Sequence, residues 1–332
     1  MKVAFVGKGG SGKTTLSALF CRYLASQSVP VVAFDADINQ HLGEALGLSE
    51  AEAAEIPALG QEMDRIKDYL RGSNPRIPSA ATMTKTTPPG RGSRLWSLRE
   101  DNPLFSHFAC DIDGVKLLVT GPFSEHDLGL KCYHSKVGAV ELLLNHCADE
   151  PGTYVVVDMT AGADSFASGL FTRFDLTLLV VEPTKKSLGV YQQYKHYTDG
   201  HHVKLKVIAN KVVLQDDLTF IRDHVGNDLL AWVSQSDYIR AMEKGKILPF
   251  SSIEIENRDT LAAIKRATDD CEQDWDTFYQ QAVEFHRKNA VSWMNAALGE
   301  DVAEQIDPDF SLSSEIKRWT EGSIQKGLSY VS

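Results

Sequence analysis

Apolar positions along this chain follow two periods. Uninterrupted apolar runs at Lys2–Val6, Val29–Phe34, Val115–Val119, Tyr154–Val157, Leu176–Val181 and Val203–Ala209 read as strands buried on both faces. Between them, apolar residues recur at helical spacing over Lys13–Gln27, with Leu16, Leu19, Phe20 and Leu24 on one face. The same spacing returns over Lys136–Cys147, Lys185–Tyr197 and Tyr238–Lys244. Buried strands alternating with helices predict an α/β fold, a mostly parallel sheet with helices on both faces. Asp113-Gly114, between Phe108–Ile112 and Val115–Val119, is a hairpin signal that adds one antiparallel edge.

Two regions break this rhythm. Residues 73–103 carry Pro75, Pro78, Pro88, Pro89 and Pro103 among Ser and Thr, and read as a loop or partly disordered insertion. From Arg258 onward the pattern is helical, through Leu261, Ile264, Trp275, Phe278, Val283, Phe285, Trp293 and Met294. The expected organisation is a main domain over residues 1–257 and a helical C-terminal extension over 258–332.

Composition narrows the class. The chain has 332 residues, 43% hydrophobic and 24% charged, which is globular. With 34 Lys and Arg against 45 Asp and Glu, the net charge of −11 argues against general nucleic-acid binding. Arg91, Arg94 and Arg99 form the one candidate basic cluster. Five scattered cysteines imply no disulfide framework. Nothing approaches the roughly 20 apolar residues of a membrane span, and the first residues lack a signal-peptide core. The expectation is a cytoplasmic protein with no integral membrane segment.

The strongest chemical signal is Gly7-Lys8-Gly9-Gly10-Ser11-Gly12-Lys13-Thr14, followed by Thr15. It fits G-x-x-x-x-G-K-[ST] between a strand and a helix, the P-loop pattern. Glycines let backbone N–H groups turn inward onto phosphate oxygens, and the helix N-terminus adds positive potential. Lys13 can reach the β- and γ-phosphates of a nucleotide, and the Thr14 hydroxyl can ligate Mg²⁺. Asp35 and Asp37 end the second strand, and Asp158 follows Tyr154–Val157 in a D-x-x-x-G pattern closed by Gly162. Carboxylates at strand ends beside a phosphate loop can hold Mg²⁺ waters or orient an attacking water.

With Lys8 included, the loop reads K-G-G-x-G-K-T-T and resembles the deviant Walker A loop of the MinD/ParA/nitrogenase iron protein (SIMIBI) group of dimeric P-loop ATPases. The resemblance runs in order over roughly the first 250 residues. It implies ATP and Mg²⁺ as ligands and a homodimer in the ATP state. Lys8 then contacts the partner's nucleotide, Asp37 positions the hydrolytic water, and Asp35 and Asp158 join Thr14 in the Mg²⁺ shell. It also implies a switching role for Gly162, a strand-end segment at Pro183 near the nucleotide, and Asn210 on the adenine edge. Position 213 is Val, not the aspartate of N-K-x-D, so ATP is favoured over GTP. Ala231-Trp232-Val233-Ser234 falls where the group has a base-capping loop, without its usual proline.

Gly129-Leu130-Lys131-Cys132-Tyr133-His134 is similar to the G-x-G-C-Y-C segment of the carbon monoxide dehydrogenase accessory ATPase family, CooC. That family's paired cysteines meet their symmetry mates around a metal. Here Cys132 and His134 from two subunits could complete a Cys₂His₂ site for Zn²⁺ or another transition metal, or could be an ordinary Cys and a helix-start His. The reading is a switch ATPase acting as a maturation or metal-insertion factor for a client protein of unknown identity. Two alternatives stay open: a metal-free positioning or assembly ATPase, and a P-loop kinase or ligase acting on a small molecule.

Overall fold

The computed structural model describes residues 1–122, 134–160, 164–246 and 248–329, apart from the side chains of 134–135, 164–165 and 322–329. Eight strands form one sheet: β1 (Lys2–Gly7), β2 (Val31–Ala36), β3 (Cys110–Ile112), β4 (Val115–Val119), β5 (Tyr154–Met159), β6 (Leu176–Val181), β7 (Leu205–Ala209) and β8 (Leu229–Trp232). The order is β3-β4-β2-β5-β1-β6-β7-β8, parallel except for the β3–β4 edge pair. That pair turns through Asp113 and Gly114, both at positive φ (50° and 87°), the conformation a two-residue hairpin needs. The apolar run from Phe108 is shorter as a strand than its hydrophobicity suggests. Phe108 ends a helix that starts at Pro103 and is capped by the Asn102 side chain, leaving only Cys110–Ile112 to pair.

The helices are α1 (Lys13–Ser26), α2 (Leu42–Leu46), α3 (Glu50–Ala54), α4 (Met63–Arg71), α5 (Pro103–Phe108), α6 (His134–Asn145), α7 (Asp164–Ser168), α8 (Lys185–Thr198), α9 (Gln215–Val225), α10 (Asp237–Met242), α11 (Ile255–Asp269), α12 (Trp275–Asn289), α13 (Asn295–Leu298) and α14 (Leu312–Ser329). Because strand side chains alternate in direction, the sheet feeds two cores. Val3, Phe5 and Val156 meet α1 and α11 on one face. Ala4, Val6, Val155 and Val157 meet α6, α8 and α9 on the other.

Residues 73–103 are a packed loop and not a disordered one. Ile77, Met83 and Trp96 are buried in the sheet core, and Trp96 donates its indole N–H to the Leu143 carbonyl at 2.8 Å. The segment's hydroxyls meet the C-terminal helices: Thr86 bonds His286 Nδ1 at 2.9 Å and Thr87 donates to Gln305 at 3.0 Å. Its arginines are engaged as well. Arg91 pairs with Asp307 and Asp309, Arg94 lies over the Tyr69 ring, and Arg99 pairs with Glu150. The start of α14 docks through Leu312 and Ile316 against Ala148 and Phe310.

Candidate functional site

The site lies where β1, β2 and β5 end at the sheet's carboxyl edge. β1 runs into the glycine loop, where Gly10 and Gly12 sit at φ 83° and 93° and the Ser11 N–H donates to the Lys8 carbonyl at 3.0 Å. Helix α1 starts after Gly12 with no side chain capping it, so its first N–H groups face the loop without an internal acceptor.

Two pairs organise the centre. Lys13 Nζ lies 2.5 Å from Asp37 Oδ2, with both side chains buried. The Thr14 hydroxyl donates to Asp158 Oδ2 at 2.6 Å. Burial opposes charge on Asp37, but Lys13 and the Asn39 N–H outweigh it and hold the carboxyl below its ordinary range. Burial pushes Asp158 and Asp35 up, and Asp158 adds like-charge repulsion at Asp35. Those two stand side by side in register across β2 and β5.

Asp158 keeps one buried oxygen, Oδ1, without a hydrogen-bond partner. An orphaned carboxylate oxygen beside a threonine hydroxyl is a donor set that suits a hard cation retaining waters and phosphate ligands. Among the described residues no group of three or more His, Cys, Asp or Glu could hold a metal by itself. The residues present therefore fit Mg²⁺ shared with a phosphate, not an all-protein cage. Asp35 spends its oxygens differently: Oδ2 accepts from Leu42 N–H at 2.8 Å and Oδ1 from Asp37 N–H at 3.2 Å. It shapes the turn that carries Asp37.

A cleft of about 1100 Å³ opens beside these groups, lined at one end by Gly9, Gly10, Gly12, Lys13, Thr14, Thr15 and Asp37, and at another by Asn210 and residues 233–236. Asn210 donates its amide to the Ser11 carbonyl at 2.8 Å, and a Cβ on Gly12 would run into that amide. Lys8, Ser11, Asp35, Asp158 and Pro183 are not among the residues that line it. Lys8 is half-buried and Pro183 follows Glu182 at the end of β6. Gly162 and Cys132 lie outside the described residues, as does the side chain of His134, whose backbone opens α6.

Sequence reasoning missed two supports. Lys211, at φ 57°, bonds both the Gly10 carbonyl and Glu182 at 2.5 Å, tying the loop to the ends of β6 and β7. Its place in Asn210-Lys211 was the available signal. Gln40, at φ 52°, donates to the Asp37 carbonyl at 2.6 Å and to Thr120 at 2.9 Å, and accepts from Gly121 N–H at 3.1 Å. No sequence pattern marks Gln40.

Residues 3–250 match the CobQ/CobB/MinD/ParA nucleotide binding domain. The chain is similar to the carbon monoxide dehydrogenase accessory protein CooC of Rhodospirillum rubrum, at 30% identity over 247 residues, covering 74% of this chain and 87% of CooC. It is also 29% identical over 244 residues to an uncharacterized ATP-binding protein of Methanocaldococcus jannaschii, covering 72% and 87% of the two chains. In fold it resembles the Pyrococcus furiosus cell division ATPase MinD, with a TM-score of 0.52 and 17% identity over 80% of this chain and 98% of that one. The glycine loop, the strand-end carboxylates and these matches agree: the chain belongs to the MinD/ParA family of P-loop nucleotide-binding ATPases, close to CooC.

Proposed function

We propose that this protein hydrolyses ATP with Mg²⁺, switches between nucleotide states as a cytoplasmic homodimer, and serves as a CooC-like maturation or metal-insertion factor for a client protein. The observation that carries the nucleotide chemistry is the pair of contacts at 2.5 and 2.6 Å that aim Lys13 and Thr14 into one cleft from two strand-end carboxylates. The similarity to CooC supports the client role.

In this reading the loop N–H groups of residues 9–15 and Lys13 cradle the phosphates. Thr14 and Asp158 would hold Mg²⁺, assisted by Asp35; the cation would supply charge neutralisation on the phosphate oxygens. A phosphate reaching Lys13 competes with Asp37 for the ammonium. The carboxylate released in that exchange keeps its bond from the Asn39 N–H and is free to orient a water. Lys8 reaches the partner's nucleotide, Asn210 contacts the base, Pro183 lies near the nucleotide, and Gly162 reports the γ-phosphate to the client surface. Cys132 and His134 are the groups that would hold a transition metal between subunits.

The test is size-exclusion chromatography with light scattering in Mg²⁺, with ADP and then a non-hydrolysable ATP analogue, on wild type and Lys8→Ala. Metal is measured in the same fractions. Expected are a wild-type dimer only with the analogue, a Lys8→Ala monomer throughout, and metal in the dimer peak that Cys132→Ala removes. A wild-type monomer in both states sinks the switch. A metal-free dimer removes the metal-carrying role and leaves a positioning or assembly ATPase.

A further inference from the structure

The base-capping region of this chain lacks the proline that would stiffen it, yet its backbone is fixed from outside. Helix α11 meets β8 and the following loop through three polar residues spaced three apart, Glu254 just before the helix and Asn257 and Thr260 within it. The Thr260 hydroxyl donates to the Trp232 carbonyl at 2.7 Å. Asn257 Oδ1 accepts the Ser234 N–H at 2.9 Å, while its amide donates to the Ser234 carbonyl at 3.4 Å and to Glu254 Oε2 at 3.2 Å. Glu254 accepts from the Ser236 hydroxyl at 2.7 Å and from Tyr238 N–H at 3.2 Å. Residues 254, 257 and 260 thus hold every second residue of the facing chain, 236, 234 and 232, in antiparallel order.

Position gives this ladder a consequence. Residues 233–236 form one wall of the cleft and Asn210 to Val213 another. Strand order carries the cleft from the phosphate loop on β1 across β6 and β7 to β8. Asn257 and Thr260 are 3% and 8% exposed, so water does not replace a rung that is lost. All three residues also lie beyond position 250, where the match to the family's nucleotide-binding domain ends.

We infer that Glu254, Asn257 and Thr260 are positioning residues that set the wall at 233–236 and so determine affinity for the base of the bound nucleotide. This rests on the proposed ATP site. It makes the first C-terminal helix part of base recognition, and it does by side-chain hydrogen bonds what a proline does by restricting the backbone.

The test measures binding of ATP and of tripolyphosphate, which has no base, both with Mg²⁺, on wild type, Asn257→Ala and Thr260→Val. The expected result is an ATP affinity roughly tenfold weaker in Asn257→Ala, with tripolyphosphate unchanged. Thr260→Val shows the same split at smaller size and stands in if Asn257→Ala fails to fold. Equal loss for both ligands would make the ladder merely structural and overturn the inference. Unchanged ATP binding in both variants overturns it too. A wild type that binds neither ligand overturns the ATP site itself, and the inference with it.

Discussion

Lys13 and Asp37 show how one contact sets a trade-off. At 2.5 Å, and almost fully buried, the pair satisfies each charge as the phosphate would otherwise satisfy Lys13. Removing the Asp37 charge takes away a competitor for the ammonium as well as the proposed water-orienting base. Asp37→Asn is therefore expected to bind ATP as tightly as wild type or more tightly, while kcat falls by roughly a hundredfold or more. Isothermal titration with a steady-state phosphate-release assay reads both quantities. An unchanged kcat would remove Asp37 from the hydrolytic step. Lys13, Thr14, Asp37 and Asp158 were legible because each sits at a fixed offset from a glycine loop or a strand end. Gln40 and Lys211 were not, because a left-handed backbone at a non-glycine residue and a bond to a distant carbonyl leave no pattern in sequence.

At the scale of elements, strands buried on both faces announced themselves by uninterrupted apolar runs, and Val115–Val119 and Leu176–Val181 were read to the residue. β8 escaped, since Leu229 and Leu230 are only half-buried and Trp232 is exposed, so its four residues carry no clear period. The packing of residues 73–103 escaped for another reason: its order comes from threonine hydroxyls and Trp96 meeting distant helices, which local composition does not encode. Helix α6 shows the same dependence on distant partners. Its Glu141 is fully buried, facing Lys85 from the 73–103 loop, Ser168 of α7 and Arg173, and burial raises its pKa to about 7 despite them. Between the ordinary carboxyl range and pH 7 the folded chain therefore keeps a proton that the unfolded chain releases, so this residue's contribution to stability falls as pH rises. His146, lowered to about 4 by burial, acts in the opposite sense. The variant-minus-wild-type difference isolates Glu141. Glu141→Gln is expected to gain about 3 kcal/mol on wild type between pH 4.5 and 7, read by urea unfolding at several pH values. A pH-independent difference would mean Glu141 stays ionised.

Across the whole molecule, the N-terminus is fastened to the start of α12 through one buried carboxylate. The Met1 amine lies 3.1 Å and Lys2 Nζ 2.8 Å from Asp149, and the Met1 amine also donates to the Thr153 carbonyl at 2.7 Å. Lys2 Nζ stands over the rings of Trp275 and Phe278 in α12, and Gln273 donates to Asp149 at 2.6 Å. β1, which feeds the phosphate loop at its far end, thus begins in a cluster whose other half belongs to the C-terminal helices. Burial alone would discharge Lys2, yet Asp149, helped by Cys147 and Asp175, more than offsets it, and Lys2 and the Met1 amine hold Asp149 well below the usual carboxylate range. Asp149→Asn removes the carboxylate that both cations pair with, in a site where Lys2 is 1% exposed, and leaves Asp175, whose pKa burial raises, as their remaining carboxylate neighbour. The expected loss is about 3–5 kcal/mol in urea unfolding at pH 7, most of it the penalty of an unpaired buried charge and not the worth of the pair. Adding Lys2→Met, which keeps the apolar stem against Trp275, should therefore restore a large part of that loss. Asp149 has a depressed pKa, so its contribution is present above the ordinary carboxyl range and disappears as pH falls below it; the gap between wild type and Asp149→Asn must narrow in acid. If the double variant is no more stable than the single one, the cluster acts through packing of Trp275 and Phe278, and charge pairing is not what fastens the N-terminus to α12.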